Sequence, residues 1–211
     1  MAHLLHLDSS INGDRSVSRK LSARAAQAWR AAHPDGTVTY RDLGADPVPH
    51  LDPLAWEARF IPSSERTAAH RAAAQIGETL AAEVLAADTV LLGLPLYNYG
   101  APSSVKAWVD RVIAAAGDDP SALGAGRELL VLASRGGGYG EGAPRHGWDH
   151  AEGWLPHGLS LTGLEPRFIT AEFTMADVNP ALADFRSHAK ESLAAAEREI
   201  DALWTPATAT H

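Results

Sequence analysis

The stretch Thr89-Val90-Leu91-Leu92-Gly93-Leu94-Pro95-Leu96-Tyr97-Asn98-Tyr99-Gly100-Ala101-Pro102-Ser103-Ser104 decides the fold of this chain. Its first six residues form an unbroken apolar run, which is typical of a fully buried parallel strand. A helix is predicted over 103–112, with the two serines as N-cap candidates and one apolar face made of Val105, Trp108, Val109 and Val112. The chain must therefore turn at the carboxyl end of the strand, where open α/β sheets bind their ligands.

The turn between this strand and this helix is rich in polar aromatic groups. Tyr97 and Tyr99 flank Asn98, whose amide offers two donors and an acceptor. Pro95 and Pro102 stiffen the loop and leave the other backbone N–H groups free to point at a ligand. A flat heteroaromatic ring with a polar edge would suit this loop. The alternative is a surface loop whose tyrosines pack on the next helix.

Short apolar runs alternate with helical patterns along the rest of the chain. Strands are predicted at 3–8, 38–42, 89–94, 129–133 and 167–171, and helices at 16–32, 64–86, 103–112, 149–162 and 180–203. The proline-rich stretch 43–62 has no steady period and is expected to run over the surface. The last helix is expected to turn inward Ala181, Leu182, Phe185, Leu193, Ile200 and Leu203.

This alternation predicts a doubly wound α/β domain. Parallel neighbours need helical crossovers, and the flavodoxin-like strand order 2-1-3-4-5 fits five such strands. The moderately apolar second strand is expected at an edge of the sheet. With 211 residues, of which 45% are hydrophobic, the chain is expected to form one domain over 1–204 with a loose tail at 205–211.

Composition narrows the function classes. The net charge of −8 argues against a nucleic-acid partner and against an anionic membrane surface. Because no apolar run is long enough to span a bilayer and no basic segment precedes an apolar one, a cytoplasmic location is expected. The absence of cysteine excludes disulfides, thiolate nucleophiles and iron–sulfur clusters, so redox chemistry would need a bound organic cofactor.

The loop after the first strand suits a phosphate. It contains Ser9, Ser10, Ser16 and Ser18 and opens directly onto a helix, whose first N–H groups and macrodipole attract anions. It matches neither the P-loop nor the Gly-x-Gly-x-x-Gly pattern, and it fits a terminal monophosphate better than a pyrophosphate. The alternative is that its serines are plain helix caps.

A third loop follows the fourth strand, as Ser134-Arg135-Gly136-Gly137-Gly138-Tyr139-Gly140. Its glycines let the backbone approach a ligand closely, and their N–H groups are expected to reach the polar edge of a flat ring. A flexible connection is the alternative. Because these loops leave the carboxyl ends of the first, third and fourth strands, they together indicate flavin mononucleotide (FMN).

Four motifs carry a resemblance to a known family. They are Ser9-Ser10 with Ser16-Val17-Ser18, Pro95-Leu96-Tyr97-Asn98-Tyr99, Ser134-Arg135-Gly136-Gly137, and the helix start Asp149-His150-Ala151-Glu152. The sequence resembles the FMN-dependent azoreductases, the NAD(P)H:quinone oxidoreductases with a flavodoxin-like fold. The resemblance implies a homodimer with two FMN-containing active sites at the subunit interface, which transfers hydride from NADH or NADPH to quinones or azo compounds. Because one ring face would serve both donor and acceptor, a two-electron, ping-pong reaction is expected.

The resemblance and the loops together predict the site residues. Asn98 and Tyr139 are the candidate catalytic residues, the first at the ring edge and the second facing the acceptor. The candidate cofactor-binding residues are Ser10, Ser16, Val17, Ser18, Leu96, Tyr97, Asn98, Tyr99, Ser134, Arg135, Gly136 and Gly137.

Two departures from the family concern the substrate side. The segment 114–126 is shorter and lacks the family's aromatic residues, and Tyr139 stands where some relatives carry histidine. A pathway-dedicated flavin tailoring oxidoreductase and a flavodoxin-type electron carrier therefore stay open as alternatives.

A metal site is not expected. His146 and His150 are four residues apart, as ligands on one helix face would be, but Gly147 and Pro144 disfavour a helix there.

Overall fold

The central strand of the sheet is buried along its whole length. In the computed structural model, which describes residues 1–117 and 119–205, this strand (β3) spans Thr89–Pro95. It pairs in parallel with β1 (His3–Asp8) on one side and β4 (Glu128–Ser134) on the other. With β2 (Thr37–Asp42) beside β1 and β5 (Pro166–Ala171) beside β4, the order is β2-β1-β3-β4-β5. The flavodoxin-like order and the edge position of the second strand are both confirmed.

Helices cover both faces of this sheet because alternate residues of each strand point to opposite sides. The helices are α1 (Val17–Ala32), α2 (Pro53–Ala58), α3 (Ala68–Ala86), α4 (Ser103–Ala115), α5 (His150–Leu159) and α6 (Arg186–Ala202). Leu91 packs with α1 and α6, together with Leu4 of β1 and Leu130 of β4. Val90, Leu92 and Leu94 pack on the other face with α3, α4 and α5. The predicted apolar face of α4 is buried as expected.

Some helix starts differ from the prediction. Neither Ser103 nor Ser104 caps α4, because the helix begins directly after Pro102, whose carbonyl accepts the N–H groups of Val105 and Lys106. The proline takes the N-cap position at φ −53°, which leaves the serines inside the first turn. The helix α3 begins at Ala68 rather than at 64, after an N-cap formed by Thr67.

The stretch 43–62 is more ordered than expected. It contains the short helix α2, and the buried Arg111 holds it against α4 by donating to the carbonyls of Pro49 and His50 and to Asp52. The pattern does not show this helix because a proline such as Pro53 is compatible both with a loop and with the first position of a helix.

The last helical segment is only partly inward. Residues Pro180–Phe185 form a 3₁₀-helix ahead of α6, and of the expected inward residues Ile200 is buried whereas Phe185 is 39% exposed. Phe185 instead stacks on Phe173 beyond the end of β5, because the 3₁₀ turn lies outside the face that α6 packs on the sheet. Most of the expected tail, 206–211, lies outside the described residues.

Among the described residues, every helix is too short or too polar to cross a membrane.

Candidate active site

The loop after β3 forms a tight turn with unusual backbone angles. Tyr97 and Gly100 exchange two N–H···O bonds of 2.9 Å, and the two residues between them, Asn98 and Tyr99, have φ of +47° and +66°. Such angles are common for asparagine but costly for tyrosine, so surrounding contacts must hold Tyr99. The Tyr99 carbonyl accepts the first N–H of α5, from His150, at 2.9 Å. The turn therefore presents the Asn98 amide at the surface on a rigid support.

The glycine loop after β4 directs its amides away from the protein. The carbonyls of Arg135, Gly136 and Gly137 accept N–H groups from the segment 173–175 at 3.0 to 3.3 Å. In a trans peptide the N–H points opposite to the preceding C=O, so the amides of Gly136, Gly137 and Gly138 point away from this segment. Within the described part of the chain, these three amides donate to no protein acceptor. They form a row of donors that suits an electron-rich ring edge.

These loops line a cavity of about 970 Å³. Such a volume lies at the upper end of the usual range for ligand pockets, about 300–1,000 Å³. The predicted residues on its wall are Leu96, Asn98, Tyr99, Gly136, Gly137 and Tyr139. The opposite wall comes from the segment after β5, from the 3₁₀ turn and from the first turn of α6, and it includes Glu172, Phe173, Met175, Phe185 and His188. Since aromatic groups stand on both sides, a flat ring can enter between them.

The serine loop lies at the amino end of α1, at the carboxyl end of β1. The side chains of Ser10, Ser16 and Ser18 are buried, and the Ser16 and Ser18 hydroxyls lie 3.1 Å apart. Ser16 is the N-cap of α1 and accepts the N–H of Arg19 at 3.3 Å. The Val17 and Ser18 amides belong to the first turn, where no intrahelical acceptor exists. Hydroxyls and amides therefore converge as a monophosphate site would require.

Tyr97, in the loop after β3, connects that loop to the serine loop. Its hydroxyl lies 3.0 Å from the Ser10 hydroxyl and accepts the Ile11 N–H at 3.2 Å. This contact connects residues 87 positions apart in the sequence. Tyr97 thus sets the distance between the candidate phosphate site and the candidate ring site, although its side chain does not line the cavity.

A partly buried ion pair between Arg19 and Asp42 supports the serine loop. The guanidinium of Arg19 donates to both carboxylate oxygens of Asp42, at 2.6 and 2.7 Å, and to the Ser10 carbonyl. Hydrogen bonds from Arg19 hold the pKa of Asp42 below its usual range. Partial burial, together with the neighbouring Asp8 and Asp42 charges, raises the pKa of Tyr40 to about 12, so its hydroxyl stays a donor to Asp8.

The pairing of β1 with β3 requires a glycine opposite Asp8. A Cβ on Gly93 would lie 2.5 Å from Asp8 Oδ1 and 3.2 Å from the Ser22 hydroxyl. The Gly93 carbonyl accepts the Ser9 hydroxyl at 2.6 Å, which anchors the start of the serine loop to the central strand.

Arg135 contacts carboxylates rather than the cavity. Its buried guanidinium pairs with Glu152, with Asp149 at 2.6 Å and with Glu172 at 3.0 Å. Glu172 also accepts the Tyr139 N–H at 2.9 Å, so this cluster fixes both ends of the glycine loop. The Ser134 side chain is buried outside the large cavity, and its carbonyl accepts the Leu96 N–H. Ser134 therefore holds the loop through its backbone carbonyl, and Arg135 holds it through ion pairs with three carboxylates.

Sequence reasoning missed the wall beyond β5. Glu172 and Phe173 follow β5 directly, so the rule that ligands bind at the carboxyl ends of strands could have found them. Phe185 is predicted only as an inward residue of the last helix, and no pattern indicates His188, because the positions of both depend on the path of the 3₁₀ turn. Among the described residues no group of three metal-ligating side chains occurs, and His146 precedes α5 instead of sharing its face with His150.

Comparisons with known proteins agree with this geometry. A family model described as "Flavodoxin-like fold" matches residues 2–202. The chain is 46% identical over 206 residues to the FMN-dependent NADH:quinone oxidoreductase of Frankia casuarinae, with 92% of this chain and 97% of that protein covered. It is 43% identical over 189 residues to the protein of the same name from Streptomyces coelicolor, with 87% and 85% covered.

Solved structures show the same fold at low identity. An azoreductase from Bacillus anthracis superposes with a TM-score of 0.81 at 20% identity, with 97% of this chain and 99% of that chain covered. An FMN-dependent NADH-azoreductase from the same species, in complex with FMN, gives a TM-score of 0.74 at 22% identity, with 95% and 96% covered.

Proposed function

Because this chain belongs to the flavodoxin-like family that contains the FMN-dependent NADH:quinone oxidoreductases, we propose that it is an FMN-dependent NAD(P)H oxidoreductase of quinones or azo compounds. One observation of the structure carries the proposal furthest. The row of glycine amides after β4 and the serine-lined helix start after β1 lie at the carboxyl ends of the two strands that flank β3, and Tyr97, in the loop after β3, contacts Ser10 of the serine loop.

The residues present fit FMN. The Ser10, Ser16 and Ser18 hydroxyls and the Val17 and Ser18 amides would hold its phosphate at the positive end of α1. Leu96, Asn98 and Tyr99 would support the ring, and the glycine amides would meet its electron-rich edge. When bound, FMN supplies hydride chemistry, because it accepts two electrons from a reduced nicotinamide and returns them to an organic acceptor.

The protein groups orient and polarise rather than react. The Asn98 amide, on its rigid turn, donates and accepts hydrogen bonds at the ring edge. The amides of Gly136 and Gly137 stabilise negative charge at that edge, and Glu172 keeps the loop in this geometry. The phenol of Tyr139 stands beside Tyr99, with ring centroids 6.2 Å apart, where it meets the acceptor.

A shared binding face implies alternating occupancy. If donor and acceptor use the same open face of the ring, the two cannot be bound together, and the kinetics are ping-pong. The cavity, of about 970 Å³, is large enough to take a flat molecule beside such a ring. An electron carrier needs no such room, so the large cavity favours an enzyme.

The wider biological setting follows from the same proposal. The chain is one domain over 1–204, acts in the cytoplasm and forms a homodimer. Support for the dimer comes from the α2 surface, where Trp56 and Phe60 are 45% and 68% exposed and contact each other edge to face. Light scattering on the purified protein should give twice the chain mass, and the double variant Trp56→Ser/Phe60→Ser should shift it toward the monomer.

Anaerobic titration tests the enzyme assignment. The protein loaded with FMN should lose its visible flavin absorption on addition of one equivalent of NADH or NADPH, and a quinone should restore it. Initial rates against both substrates should give parallel lines in double-reciprocal plots. Intersecting lines would refute the shared face, and a flavin that neither nucleotide bleaches would refute the function itself.

A further inference from the structure

The charged side chains on the cavity wall differ in whether the protein already pairs them. The carboxylate, guanidinium and imidazole side chains there are Glu141, Arg145, Glu172 and His188. Glu172 is already bonded to Arg135 and to the Tyr139 amide. Arg145 is the permanent cation of this set.

Arg145 contacts the aromatic ring of Tyr99. Its guanidinium carbon lies 5.8 Å from the centroid of the Tyr99 ring, a cation–π distance. Within the part of the chain that the structure describes, it has no ion pair and no side-chain hydrogen bond. Arg135, close by in the fold, shows the contrast, since three carboxylates occupy its guanidinium.

The support of Arg145 is itself rigid. The Tyr99 ring meets Trp148 edge to face at 5.4 Å and Tyr139 at 6.2 Å, and the Arg145 carbonyl accepts the Trp148 N–H. A guanidinium at cation–π distance from a ring can still donate its N–H groups to a ligand, and two of these groups match two phosphate oxygens at once. Arg145 therefore stands ready for an anion at the mouth of the cavity.

We propose that Arg145 binds the pyrophosphate of the nicotinamide dinucleotide donor. This inference rests on the proposed function and adds the residue that distinguishes a dinucleotide from a donor without phosphate. The chain has a net charge of −8 and Glu141 lines the same wall, so a dianionic donor needs a local cation to approach. The FMN phosphate uses the separate serine loop, so the two anions do not compete.

Two hydride donors separate this role from a general one. NADH contains the pyrophosphate, whereas 1-benzyl-1,4-dihydronicotinamide delivers the same hydride without any phosphate. In the FMN-loaded protein, Arg145→Gln should raise KM for NADH roughly tenfold or more, the loss expected for one charge-assisted contact, and leave KM for the benzyl donor unchanged. Arg145→Lys should fall between, because lysine keeps the charge but loses the two-pronged contact.

A binding measurement removes the dependence on turnover. Calorimetry with ADP-ribose, which has the pyrophosphate and no nicotinamide, should show weaker binding to Arg145→Gln by a similar factor, with FMN affinity and thermal unfolding unchanged. Arg30→Gln is the matched control, because it removes the same charge from the exposed last turn of α1 and should change none of these values.

The outcomes are separable. Equal KM increases for both donors, or unchanged NADH and ADP-ribose binding in Arg145→Gln, would overturn the role of Arg145 while the proposed function stands. If the wild-type protein oxidises neither donor, the proposed function fails and this inference fails with it.

Discussion

Removal of the Ser16 hydroxyl tests the candidate phosphate site most directly. This hydroxyl has two roles, since it caps α1 by accepting the Arg19 N–H and stands 3.1 Å from the Ser18 hydroxyl. Ser16→Ala should therefore lower both protein stability and FMN affinity. The two effects have different physical origins and can be measured apart.

The expected magnitudes follow from the contacts. Loss of an N-cap side chain costs about 1 kcal/mol of stability. Loss of one hydrogen bond to a charged phosphate costs about 1.5–3 kcal/mol of binding, which is roughly a 10- to 150-fold weaker Kd for FMN. Riboflavin has the same ring and no phosphate, so its Kd should stay nearly constant.

Thr67→Ala supplies the matched control. Thr67 caps α3 in the same way, by accepting the His70 N–H at 3.2 Å, and lies outside the candidate site. Fluorescence titration of the apoprotein with both flavins should show a loss confined to FMN in Ser16→Ala and no loss in Thr67→Ala, while both variants unfold at lower denaturant concentration. Equal losses for FMN and riboflavin in Ser16→Ala, or a loss for FMN in Thr67→Ala, would refute the phosphate assignment.

Three further changes test the supports of the site. Gly138→Ala should weaken FMN binding and disturb near-ultraviolet circular dichroism, because the added Cβ would lie 2.3 Å from Phe173 Cζ. Gly140→Ala should do neither, because its added Cβ would have its nearest atom at 3.9 Å. Identical behaviour of the two variants would contradict the packing. Asn98→Gly should keep the turn, which needs φ of +47°, and slow flavin reduction in stopped-flow more than it weakens FMN; a wild-type rate would exclude a role for the amide. Asp42→Asn should cost about 2 kcal/mol near neutral pH. Because the Asp42 pKa is lowered in the folded protein, the stability difference between wild type and Asp42→Asn should be full above the ordinary pKa of 3.8 and disappear as the pH falls through the lowered pKa. Urea unfolding at several pH values measures this difference. A difference that stays constant with pH would contradict the role of the ion pair.

Local patterns were sufficient for the sheet and for the placement of its loops. The apolar run at 89–94 and the alternation of strand and helix signals predict the parallel sheet, since crossover rules leave few other orders for such elements. The positions of the three candidate loops could be predicted for the same reason, because each follows a strand whose carboxyl end must lie at the same edge of the sheet. The resemblance to the azoreductase family rested on these loops, and the family match confirms it.

The partners of individual side chains depended on the tertiary structure. Arg135 belongs to a conspicuous motif, yet its guanidinium contacts Asp149, Glu152 and Glu172, which only folding brings together. The stacking of Phe173 on Phe185 and the cation–π contact of Arg145 with Tyr99 likewise join different segments of the chain. Periodicity reports which backbone faces are apolar, because that depends on near neighbours in the chain. Which polar group meets which partner depends on the paths of loops, and those paths are set by packing between elements.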